Sequence, residues 1–122
     1  MASPAQPVTV PTYTHRFYER LYAHNRCAGR FADVPAFRDF VGYQVRLLNA
    51  VMARVRGLGA SDPMTIARLN ARLLAEDLDD LCEVIAELVE HQLMAQGVAD
   101  RCIEHLQLVK LTVFPAAAPS AS

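Results

Sequence analysis

The spacing of its apolar residues is the feature of this chain that most constrains its fold. In four segments these residues recur at the i, i+3, i+4 interval that lines one face of an α-helix. The segment FRDFVGYQVRLLNAVM, residues 37–52, shows this pattern without interruption by proline. No segment alternates apolar and polar residues over the length of a strand. The sequence therefore predicts an all-α protein.

Proline, glycine and capping residues predict the limits of these helices. The prolines of residues 1–12 predict an N-terminal arm, and PAAAPSAS predicts a disordered tail over 115–122, so a single domain is expected over 13–114. Thr14 is the expected N-cap of the first helix, and Asp33 that of the second. Gly57 and Gly97 are the expected stops of the second helix and of the helix before the last. The predicted helices cover residues 14–27, 34–56, 77–96 and 99–113.

The segment 64–81, MTIARLNARLLAEDLDDL, leaves two interpretations open. Either a short helix ends within it and a new one begins near Glu76 and Asp77, or one helix runs unbroken through 62–96. Acidic residues favour a helix N-terminus, which is the argument for the restart.

Composition restricts the class of protein. The 122 residues suffice for one small domain with a single core. A net charge of -1 provides no basic field, so we expect no nucleic-acid partner. The apolar runs are short for a membrane span, and the N-terminus lacks the pattern of a secretory signal. Cys27, Cys82 and Cys102 form no C-x-x-C motif, so we expect a protein of the reducing cytoplasm.

Gln44 is the most informative polar residue, because it interrupts an apolar helical stripe. A buried amide without partners costs a few kcal/mol, on the order of 1–3, so it should find a hydrogen bond. Tyr18, on the apolar face of the first helix, is one candidate partner, while a position at the edge of the stripe is the alternative. No histidine pair has metal-site spacing, and no nucleophile motif is present, so we expect no enzymatic activity.

A set of residues on three successive segments resembles the distal half of a truncated haemoglobin. Phe17-Tyr18 lies in RFYERLYAH, Phe31 in the corner GRFADV, and Gln44 ahead of Val45, Leu47 and Leu48. The segment 78–113 is similar to the closing helix pair of that family, which also joins at a Gly-Val. The resemblance implies a globin-like, two-over-two helical sandwich. It also implies a ligand pocket lined by Phe17, Tyr18, Phe31, Phe40, Gln44 and Leu48.

The proximal side departs from the family pattern. The resemblance places the histidine that binds haem iron near residues 68–72, where this chain has Asn70, or Arg68 or Arg72 if the alignment slips. No His, Met or Cys lies between Met64 and Cys82. Asparagine and arginine are not haem-iron ligands of the kind that proteins use.

These observations lead to one expected function and two alternatives. We expect a globin with a degenerate haem site and no cofactor, serving as a haem-independent sensory, ligand-binding or protein-interaction module. Its ligand would be small and apolar, or diatomic. The first alternative is a haem protein that handles oxygen or nitric oxide through a non-standard axial ligand. The second is an unrelated four-helix bundle that acts as an interaction protein.

The last helix has apolar residues on more than one side, namely Leu106, Leu108, Leu111 and Val113. An uncovered apolar patch of this kind is typical of an interface. We therefore expect a homodimer or a partner protein at this helix, with residues 37–52 contributing. Alternatively, the N-terminal arm, with Val8, Val10 and Tyr13, covers the patch.

Overall fold

The computed structural model describes residues 9–23, 31, 33–59 and 61–115, and of residues 21–23 it describes the backbone alone. These residues form five helices and no strand, which confirms the all-α prediction. The helices are α1 (Val10–Ala23), α2 (Val34–Val55), α3 (Pro63–Leu69), α4 (Ala75–Glu90) and α5 (Gln96–Val113). The predicted arm and tail fall mostly on residues 1–8 and 116–122, which lie outside the described residues.

The first helix begins four residues earlier than the sequence predicted. Thr9 rather than Thr14 caps it, because the backbone N–H of Thr12 donates to the Thr9 hydroxyl at 3.3 Å. Pro11 then lies in the first turn, where the missing N–H of proline has no helical partner to lose. Thr14 is buried inside the helix, and its hydroxyl donates to the carbonyl of Val10 at 2.8 Å.

The second helix follows the prediction closely. The Asp33 carboxylate accepts from the backbone N–H of Ala36 at 2.8 Å, which confirms it as the N-cap. At the other end Gly57 adopts a positive φ of 73°, and the N–H of Leu58 donates to the carbonyl of Ala53. This is the Schellman arrangement, in which glycine after the cap carries the left-handed conformation.

The ambiguous segment 64–81 contains a break, so residues 62–96 do not form one helix. The α3 helix ends at Leu69, and Asn70 leaves the helical conformation at φ -83° and ψ 90°. The next helix, α4, begins at Ala75 after Leu74, whose backbone N–H donates to the carboxylate of Asp77 at 2.7 Å. This contact satisfies a backbone donor that the helix start would otherwise leave unpaired.

The end of α4 differs from the prediction, which placed the stop at Gly97. The helix ends at Glu90, and Gln92 takes the left-handed conformation with φ 59°. The N–H of Leu93 donates to the carbonyl of Leu88, and that of Gln92 to Val89, so this end is also a Schellman motif. Gly97 instead lies in the first turn of α5.

The helices pack around one apolar core. The α4 and α5 helices form an αα-hairpin, α2 packs on α1, α3 and α5, and α1 also contacts α4. Polar contacts support this packing: Arg101 donates to the carbonyl of Val55 at 2.7 Å, and Lys110 pairs with Asp79 at 2.9 Å. None of the five helices in the described part of the chain combines the length and apolar character needed to cross a membrane.

Candidate functional site

A chain of hydrogen bonds between three buried polar side chains crosses the core. The amide Nε2 of Gln44 donates to the hydroxyl of Tyr18 at 2.9 Å. The amide Nδ2 of Asn70 donates to Oε1 of Gln44 at 3.2 Å. Tyr18 and Gln44 are 0% exposed and Asn70 is 6% exposed, so water cannot replace these contacts. Gln44 therefore joins two helices and the turn after α3.

Local structure explains how each side chain reaches the centre. Tyr18 lies in the middle of α1 and Gln44 in the middle of α2, each on the face that contacts the core. Asn70 is the C-cap of α3, and its backbone N–H donates to the carbonyl of Ala67. Because its backbone has already left the helix, its side chain is directed inward rather than along the exposed α3 surface.

The connectivity of this chain does not depend on which way its amides point. If both amide groups rotate by 180°, the tyrosine donates to Gln44 and Gln44 donates to Asn70, so both hydrogen bonds persist. Three polar groups that satisfy one another in a dry interior form a network whose members depend on one another. The network therefore fixes the relative positions of α1, α2 and the end of α3.

Aromatic rings surround the tyrosine end of the network. Tyr18 makes edge-on contacts with Phe17 and Phe40, with ring centroids 5.6 and 5.7 Å apart. Phe31 contacts Phe40 at 5.1 Å. All four are buried, as is Leu48. The structure thus places in the core all six residues that the resemblance implies for a pocket. Whether they accept a ligand stays a prediction.

Of the three candidates for the lost proximal position, only Asn70 reaches the interior. Arg68 and Arg72 are exposed at the end of α3 and in the turn that follows. Sequence reasoning expected Tyr18 as a partner of Gln44 and missed Asn70 as the other. A polar residue with low helix propensity between two helical segments was the available signal.

The geometry at Gln44 and Asn70 does not fit haem. The resemblance places these residues on opposite faces of the porphyrin. A flat ring between two side chains would hold their nearest atoms about 7–8 Å apart, the sum of two van der Waals contacts. Their polar atoms are instead 3.2 Å apart and bonded directly. Neither residue is an iron ligand of the usual kind. The distance between the two side chains and the atoms they offer to the iron therefore both disagree with bound haem.

The other side chains that could be reactive are those of the cysteines and histidines. Cys102 is buried and Cys82 is half-buried, and burial raises the pKa of both thiols, so both are protonated at neutral pH. Cys27 and His24 lie outside the described residues. His15 and His91 are exposed. His105, which belongs to α5, is half-buried next to the end of α2. Burial and then the charge of Arg54 lower the pKa of His105.

Comparison of the chain with known protein families, curated proteins and solved structures gives no significant match.

Proposed function

We propose that this protein is a truncated-haemoglobin-like globin with a degenerate haem site, which works as a haem-independent sensory, ligand-binding or protein-interaction module. The helix order supports the globin-like arrangement. The α1–α2 and α4–α5 helices pack as two pairs, with the short α3 between them in the chain. Tyr18 and Gln44 lie within hydrogen-bonding distance, as the distal pair of that family would.

The direct contact between Gln44 and Asn70 is the observation that carries this proposal. In a haem-binding globin the distal and proximal side chains are separated by the cofactor. Here an amide–amide hydrogen bond of 3.2 Å takes the place of that separation. Tyr18, Gln44 and Asn70 bond to one another, so this network needs no bound group to link its members. On this proposal the protein has no catalytic activity, and it acts by binding a ligand or a partner protein.

Haem titration tests the proposal. The wild-type protein, purified from cells supplied with haem and then titrated with hemin, should lack a stoichiometric Soret band. Asn70→His removes the amide that bridges to Gln44 and places an imidazole at the proposed proximal position, so it should increase haem affinity. Arg68→His is the matched control, because it adds an imidazole two residues away on the exposed surface.

The outcome of this titration separates the alternatives. A tightly bound, six-coordinate haem in the wild-type protein would support the haem-binding alternative and refute the proposal. His24, Tyr18 and His91 would then be the ligands to replace. If Asn70→His and Arg68→His behave alike, Asn70 does not mark a proximal position, and the unrelated helical bundle becomes the better description.

We also propose that the outer face of α5 contacts a second copy of the chain. Leu106 and Val109 point into the core, but Leu108 and Leu111 are 51% and 42% exposed, one turn apart. Two exposed leucines on one helix face favour self-association. Light scattering at micromolar concentration should detect a dimer, and Leu108→Gln combined with Leu111→Gln should convert it to a monomer. A wild-type monomer at these concentrations would refute this interface.

A further inference from the structure

A surface cavity lies between α1 and the turn that follows α4. Its volume is about 570 Å³, and its walls are formed by Tyr13, Arg16, Arg20, His91 and Leu93. Pockets that hold small organic molecules have volumes of about 300–1,000 Å³. The cavity is thus large enough for a small molecule, and it lies outside the network of the core.

The charge of this cavity is positive. Arg16 forms no ion pair with the described residues, and it lies on the same face of α1 as Arg20, one turn away. The carboxylate that faces Arg20 is Glu87, whose Oε2 lies 3.6 Å from Nη2 of Arg20, beyond hydrogen-bonding distance. A guanidinium group has five N–H donors, so this single distant contact leaves Arg20 able to bind an anion. Two arginines therefore face one carboxylate.

Aromatic rings hold Arg20 in position. Its guanidinium carbon lies 5.7 Å from the ring centroid of Phe17 and 6.0 Å from that of Tyr13. Such stacking restricts the side chain before a ligand arrives, and less conformational entropy is then lost on binding.

The other wall is aromatic and apolar. The rings of Tyr13 and His91 are in contact, with centroids 5.4 Å apart and planes inclined by 47°. Leu93 is half-buried beside them. Its backbone N–H donates to the carbonyl of Leu88 in the last turn of α4, and this bond fixes its position. Flat rings on one side and guanidinium groups on the other suit a ligand that has a flat apolar body and one acidic group.

We propose that this cavity binds a small aromatic organic acid, with Arg16 and Arg20 binding the acidic group and Tyr13, His91 and Leu93 contacting the ring. This site is independent of the globin assignment, because none of these residues belongs to the Tyr18–Gln44–Asn70 network. The two proposals can therefore fail separately.

Two fluorescent probes test the proposal on the full chain. 1-Anilinonaphthalene-8-sulfonate carries a flat ring system and an acidic group, and N-phenyl-1-naphthylamine carries the same ring system without the acid. The sulfonate probe should bind saturably at one site and perturb the His91 ring resonances in an NMR titration. Arg16→Gln and Arg20→Gln should each weaken its binding about tenfold, the effect of one lost charge-assisted hydrogen bond.

Arg46→Gln is the matched control. Arg46 is exposed and also stacks on a tyrosine, with its guanidinium carbon 5.3 Å from the ring centroid of Tyr43, but it lies outside this cavity. This variant should bind the sulfonate probe like the wild type, and the uncharged probe should bind all four proteins equally. The proposal is overturned by the absence of saturable binding or of a His91 perturbation. It is also overturned by equal sulfonate affinity in all variants, or by parallel losses for both probes.

Discussion

Replacing Gln44 by leucine should reveal how strongly the buried network stabilises the fold. The substitution removes the hydrogen bonds of 2.9 Å to Tyr18 and 3.2 Å to Asn70. Each buried group that loses its partner costs about 1–3 kcal/mol. The apolar surface that leucine buries offsets on the order of 1–2 kcal/mol of this total. Because two groups are affected, the cost of about 2–6 kcal/mol less this offset gives an expected fall in the free energy of unfolding of about 1–4 kcal/mol.

Urea and thermal unfolding, followed by circular dichroism, measure this loss. For a domain of about this size, a change of 1 kcal/mol shifts Tm by about 4 °C, so Gln44→Leu should lower Tm by about 4–16 °C. Asn49→Leu, an exposed amide on the same helix, is the matched control and should change stability by less than about 0.5 kcal/mol.

A triple variant distinguishes a network from three independent residues. Combining Tyr18→Phe, Gln44→Leu and Asn70→Leu removes all three polar side-chain groups of the network at once, and none of the three then loses a partner while remaining polar. The triple variant should therefore be less destabilised than the sum of the three single variants. Strict additivity would show that the three residues act independently. A Gln44→Leu protein as stable as the wild type would show that the network does not stabilise the fold.

Two further predictions concern the end of α4 and the histidine of α5. Gln92→Gly should raise the free energy of unfolding by about 0.5–1 kcal/mol, because glycine adopts the positive φ of 59° without steric cost. Ala86→Gly, in the interior of α4, should lower it by about 1 kcal/mol. Burial lowers the folded-state pKa of His105 below its unfolded value of about 6.5. The neutral imidazole therefore contributes to stability above the unfolded pKa, and this contribution is lost as the pH falls through the folded pKa. Urea unfolding should be measured at two pH values, one near neutral and one about one unit below the unfolded pKa. The free energy of unfolding should differ less between these two conditions in His105→Gln than in the wild type.

Two of the predicted helix limits are wrong, the start of α1 and the end of α4. The sequence predicted a stop at Gly97 and a cap at Thr14. At α4, however, Gln92 takes the left-handed position that glycine usually holds, and at α1 the cap is Thr9 rather than Thr14. A non-glycine residue adopts that conformation when the packing around the turn compensates for the steric cost. Such compensation is tertiary and leaves no mark in the local sequence.

Local sequence patterns were enough to predict the class of fold and the buried face of α2. Helical periodicity is local, so it placed the buried face of α2 correctly, including the polar Gln44 within it. The tertiary structure alone decided which polar groups meet. Tyr18 and Gln44 are separated by 26 residues, as are Gln44 and Asn70, and Arg16 and Arg20 meet His91 only because α1 packs on α4. Contacts between distant residues depend on how helices pack, and a helical pattern determines which face is buried but not which helix covers it.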